Sequence, residues 1–75
     1  MEKTIVSISQ EARYFFGLAM DAESYNNPHK VLEYFDRALT MDPGYAMAWN
    51  EKANFLDFMG KTDEALACYD SALKI

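Results

Sequence analysis

The residues of this chain with intrinsic reactivity are few and scattered. His29 stands beside Lys30 without Cys, Asp or Glu at metal-ligand spacing, so it reads as a surface histidine and not a ligand or general base. Cys68 is the single cysteine and neighbours an apolar tyrosine, Tyr69, which marks a structural thiol, not an activated nucleophile. The carboxylates Asp21, Glu23, Glu33 and Asp36 read as a solvated acidic surface. No glycine-rich phosphate loop or catalytic motif is present. The expectation is therefore no catalytic residue, no metal site, no cofactor and no enzyme.

Charge narrows the field further. The chain has 75 residues, seven Lys and Arg against twelve Asp and Glu, and a net charge of −5. Nucleic acid and anionic membrane surfaces call for a basic stripe, and here the basic residues are dispersed. An acidic surface weakly favours basic partners. No apolar run approaches the roughly 20 residues needed to span a bilayer. The start, MEKTIVSISQEAR, lacks the hydrophobic stretch and small-residue cleavage site of a secretory signal. A lone thiol fits a reducing compartment, and the expected localisation is cytoplasmic.

The sequence holds one pattern written twice. At an offset of 34 residues Phe15 falls over Trp49, Ala19 over Ala53, Leu32 over Leu66 and Phe35 over Tyr69. Asp36 over Asp70, Ala38 over Ala72 and Leu39 over Leu73 continue it. Such a period denotes stacked supersecondary units, each too small to bury its apolar face alone.

Apolar spacings of three and four predict four helices joined by short turns. The first runs from about Ser9 to Tyr25, with Phe15, Leu18, Ala19 and Ala22 on one face and Ser7 or Ser9 as its cap. The alternation Thr4-Ile5-Val6-Ser7-Ile8 resembles a strand but reads better as an irregular lead-in or an extra helical turn. Gly17 costs about 1 kcal/mol in a helix interior, and close approach of a neighbouring helix is the expected compensation. Asn27 caps a second helix, about Pro28 to Met41, with Pro28 at its first position and Val31, Leu32, Phe35, Ala38 and Leu39 as its stripe. Asp42-Pro43-Gly44 ends it. A third helix spans about Tyr45 to Met59, with Trp49, Ala53 and Leu56 inward and Gly60 suited to the left-handed position beyond its end. Thr62 is the expected cap of the fourth, with Asp63 and Glu64 placed well against its dipole, and Ala65, Leu66, Tyr69, Ala72 and Leu73 as its stripe.

These residues resemble the tetratricopeptide repeat. In AMAWNEKANFLDFMGKTDEALACYDSALKI the residues Trp49, Ala53, Leu56, Gly60, Ala65, Tyr69 and Ala72 fall at the family's marked sites. Phe15, Ala19, Phe35 and Ala38 match in the first unit, and Met41-Asp42-Pro43 resembles the closing turn. Lys52 departs from the usual apolar residue, Ala22 is small where Leu56 is large, and Val31 exceeds the usual alanine. The resemblance implies an all-α fold: antiparallel helix-turn-helix repeats stacked as a short right-handed α-solenoid of four helices. Residues 1–11 would lead in, 12–45 form the first repeat and 46–75 the second, truncated before its closing turn.

The resemblance also implies a concave groove, lined by the first helix of each pair, that holds a peptide or helix of a partner protein. Arg13, Phe16, Met20, Glu23 and Ser24 would face it from the first helix, and Tyr45, Met47, Asn50, Asn54, Asp57 and Phe58 from the third. Asn50 and Asn54, four apart, suit hydrogen bonding to an extended backbone. Phe16, Met20, Met47 and Phe58 offer adaptable apolar contact, or else serve helix packing. The lysines and arginines that clamp a partner's terminal carboxylate in some family members are replaced by Phe16 and Met20. About three repeats are usual for stability. Leu66, Tyr69 and Leu73 would therefore lie open unless a further repeat, a second copy or the N-terminal segment with Ile5, Val6 and Ile8 covered them. Two functions remain: a scaffold that binds a partner protein in the groove, or a unit that self-associates through the uncapped face of its last helix.

Overall fold

The computed structural model describes residues 8–75, and the strand-like run and the Ser7 cap lie outside them except for Ile8. Four helices follow one another: α1 (Gln10–Ser24), α2 (Pro28–Met41), α3 (Ala46–Phe58) and α4 (Thr62–Leu73). Each boundary falls within one residue of the spacing-based expectation, because each is set by local chemistry. Ser9 caps α1 by accepting from the Ala12 amide at 3.1 Å. Its own amide donates to Asp42 Oδ2 at 2.9 Å, which ties the start of α1 to the turn after α2. Asn27 accepts from the Lys30 amide and Pro28 opens α2 at a position with no amide to satisfy.

The turns inside the two hairpins share one device. After α1, Asn26 takes a φ of +55°, its amide donates to Glu23 O, and the Asn27 amide reaches back to Ala22 O. After α3, Gly60 takes a φ of +82°, donates to Asp57 O, and the Lys61 amide reaches Leu56 O at 2.8 Å. Both are paired closures that satisfy two helix-end carbonyls, and Asn26 and Gly60 are 34 residues apart. Between the hairpins, Tyr45 N donates to Asp42 O around Pro43-Gly44.

Two expectations about local structure fail. Thr62 is the first helical residue and Lys61 holds the cap position without a side-chain hydrogen bond. Asp63 and Glu64 in the first turn of α4 take on part of that task electrostatically. Gly17 is exposed, and a Cβ built there meets nothing within 4 Å, so no neighbouring helix approaches it.

Helices pack in sequence order, α1 on α2, α2 on α3 and α3 on α4. The larger core cluster joins Ala12, Ala19 and Ala22 of α1 to Val31, Phe35, Ala38 and Leu39 of α2, and extends to Tyr45 and Ala48 at the start of α3. Phe35 is fully buried, with the Phe16 ring 5.9 Å away. The smaller cluster joins Ala53 and Leu56 to Ala65 and Cys68. Alanines 19, 38 and 53 are fully buried, which lets the helix backbones come close while the rings fill the gaps between. Burial pushes the Cys68 thiol up, Lys52 opposing it and Asp36 and Glu64 adding to it.

A polar tie crosses the seam between the pairs. Lys52 Nζ of α3 sits 2.6 Å from Asp36 Oδ1 of α2 and 5.8 Å from the Trp49 ring centroid. The lysine departing from the family pattern is thus matched by a carboxylate on the helix it faces. Trp49 Nε1 donates to Pro43 O at 2.8 Å, pinning α3 to the preceding turn.

Candidate functional site

The groove residues expected from α1 and α3 divide into three kinds. Tyr45 is buried, its ring 5.3 Å from that of Phe16, so it belongs to the core and not to an open surface. Burial also pushes its phenol up, with Arg13 opposing and Asp42 reinforcing that shift. Phe16 and Met20 are half-buried and pack on the larger cluster. Arg13, Met47, Asn50, Asn54, Asp57 and Phe58 are exposed, Met47 at 59% and Phe58 at 85%.

A cleft of about 320 Å³ lies where the C-terminal halves of α1 and α3 meet, lined by Glu23, Asn26, Asn54, Phe55 and Phe58. It brings together the expected Glu23, Asn54 and Phe58. It adds Asn26 and Phe55, which the sequence reading assigned to a turn and left unassigned. Asn26 enters because its left-handed turn ends α1 at this edge. Phe55 packs half-buried against the α1–α2 core. Asn54 also accepts a short hydrogen bond from Tyr69 OH of α4, which orients its amide.

Glu23 is the titratable group that this cleft perturbs. Loss of water around it and then the charge of Glu51 raise its carboxyl above the ordinary 4.5. Among the described residues no ion pair reaches Glu23, Glu51 or Asp57.

The second expected surface lies on α4. Leu66 is 59% exposed and Leu73 85%, while Tyr69 is half-buried against the smaller cluster. Their counterparts on α2 show what such a stripe does when covered: Phe35 is fully buried and Leu39 nearly so.

The tetratricopeptide repeat pattern matches residues 34–67, from the second turn of α2 into α4. The chain is also similar to an uncharacterized protein of Methanocaldococcus jannaschii, 30% identical over 66 residues that make up 88% of this chain and 77% of that one. The chain belongs to the tetratricopeptide repeat family. The matched stretch is one repeat period long and contains the α2–α3 seam with Lys52, Asp36 and Trp49, so the family's stacking contact and the one seen here coincide. No solved structure matches the chain. As a tetratricopeptide repeat protein it falls in a class of protein-interaction modules. Among the described residues no helix is long and apolar enough to cross a membrane.

Proposed function

We propose that this tetratricopeptide repeat chain is a scaffold that takes a peptide or helix of a partner protein along the exposed side of α1 and α3. The observation that carries the reading is Phe58, 85% exposed at the edge of the cleft that Asn54 and Glu23 also line. An uncovered phenylalanine beside fixed amide groups is the composition of a binding surface: apolar area supplies affinity and the amides supply register. Met47, one of the exposed residues of α3, extends the apolar area with an adaptable side chain. The test is quantitative partner capture from a lysate by the wild type and by the Met47→Ala, Phe58→Ala variant. Both side chains are exposed, so the fold should survive. A partner retained by the wild type and lost by the variant supports the groove; capture that is unchanged in a folded variant refutes it.

Leu66 and Leu73 favour a second reading, self-association through α4, because their α2 counterparts are covered and they are not. Under it, sedimentation equilibrium should show a mass that rises with concentration and falls to the monomer for Leu66→Lys, Leu73→Lys. A wild type that stays monomeric up to millimolar concentration rules it out.

A further inference from the structure

We infer that the partner segment is basic and amphipathic, with a lysine or arginine about one helical turn from an apolar anchor. This rests on the groove reading above and names the chemistry of its occupant. Glu23 and Asp57 occupy the same register 34 residues apart, each in the last turn of its helix. A helix C-terminus already carries partial negative charge, and a basic side chain in the last turn normally offsets it. Neither α1 nor α3 has one; each places a carboxylate there.

The chain's own cations are committed elsewhere. Lys30 and Arg37 pair with Glu33, Lys52 with Asp36, Lys61 with Glu64 and Lys74 with Asp70. Among the described residues only Arg13 stands outside these pairs, and it lies in the first half of α1, away from the cleft at its end. Glu51 adds a third carboxylate close enough to raise that of Glu23. The end of the groove therefore concentrates negative potential from two helix termini and three carboxylates around an exposed phenylalanine. An ammonium or guanidinium group placed there relieves the like-charge repulsion while its neighbouring apolar side chain covers Phe58.

The test uses two synthetic peptides of equal length with the same leucines at helical spacing, one carrying lysine at every polar position and the other glutamate. Each is titrated into the isotopically labelled chain and followed by amide chemical shifts. The lysine peptide should shift the amides of Glu23, Asn54 and Phe58, with an affinity that falls as salt rises. Glu23→Gln, Asp57→Asn should weaken it at least tenfold at low salt. Glu11→Gln, Asp63→Asn removes the same net charge from two first turns outside the groove and should change it less than twofold. If the glutamate peptide shifts the same amides as strongly, the charge inference falls and the groove reading stands. If neither peptide shifts them, both fall. Equal weakening by the two double variants would reduce the effect to net charge and overturn the inference.

Discussion

Leu39 and Leu73 are the same residue at the same register of two repeats, yet one is 7% exposed and the other 85%. Replacing each by alanine therefore measures what the α2–α3 seam contributes, with residue type and helix position held constant. Leu39 lies in the cluster that contains Phe35, Ala38, Tyr45 and Ala48, and its truncation leaves a cavity between α2 and α3. Buried Leu→Ala changes cost about 2–5 kcal/mol. The seam sits at the margin of a small core whose half-buried rings Phe16 and Trp49 can relax into the space, so about 2–3 kcal/mol is expected. Leu73→Ala removes little buried area, and the small helix preference for alanine offsets it; a change within about 0.5 kcal/mol is expected. Against a total near 4–11 kcal/mol for a chain of this size, the first loss is large and the second is not. Urea unfolding followed by far-ultraviolet circular dichroism, at dilutions where the chain is monomeric, reads both. A Leu39→Ala loss below about 1 kcal/mol, or equal losses for the two variants, would refute the reasoning. A Leu73→Ala loss that appears only at high protein concentration would show α4 covered by a second copy.

Two glycines should respond with opposite sign. Gly17→Ala has open space and an ordinary backbone and should stabilise by about 0.5–1 kcal/mol, whereas Gly60→Ala, at a φ of +82°, should destabilise by about 1–2 kcal/mol; thermal unfolding of both checks this. A double-mutant cycle on Lys52→Ala and Asp36→Ala should give a coupling near 1 kcal/mol or below, because Asp36 is largely exposed even though Lys52 is not, and a coupling of zero would leave the seam to apolar contact alone. Glu23, whose folded carboxyl lies above its unfolded value, contributes stability that is present below the unfolded value and lost as pH rises through the folded one. Relative to Glu23→Gln, the wild type should therefore gain stability as pH is lowered from 7 to below about 4, read as the difference between two pH profiles of urea midpoint.

Helix ends were legible because their causes are local. Ser9, Asn27, Pro28 and Gly60 act within four residues of themselves, and spacing alone identifies them. Thr62 misled for the same reason: a good capping type at a plausible place, it was drawn one residue into α4 because the paired closure at Gly60 and Lys61 fixes where that helix begins. Asn26 was read only as part of a stop signal, although its register with Gly60 was there to be seen. The contacts across the seam were not legible. Asp36 with Lys52, and Trp49 with Pro43, depend on how two helices lie against each other, which periodicity does not encode. A lysine at an apolar position opposite a carboxylate-bearing helix was the one available signal. Tyr45 followed the family's groove pattern by position, but the neighbouring Phe16 ring draws it into the core.

The two halves of each hairpin are under different demands. In α2 the apolar residues Val31, Phe35, Ala38 and Leu39 are all buried, so packing accounts for that stripe. In α3 burial uses Ala48, Ala53 and Leu56, mostly small residues, while the larger Met47 and Phe58 lie outside. A helix chosen for packing alone would place its bulk inward and its polar groups outward. The reversal in α3 means that its outer side chains are not explained by the stability of this chain. The exposed Leu73 of α4 differs, because its counterpart Leu39 shows that the position serves the stack. Loss of Leu73 should register in assembly, and loss of Phe58 in recognition. Measuring stability, mass and binding on both variants separates the two surfaces.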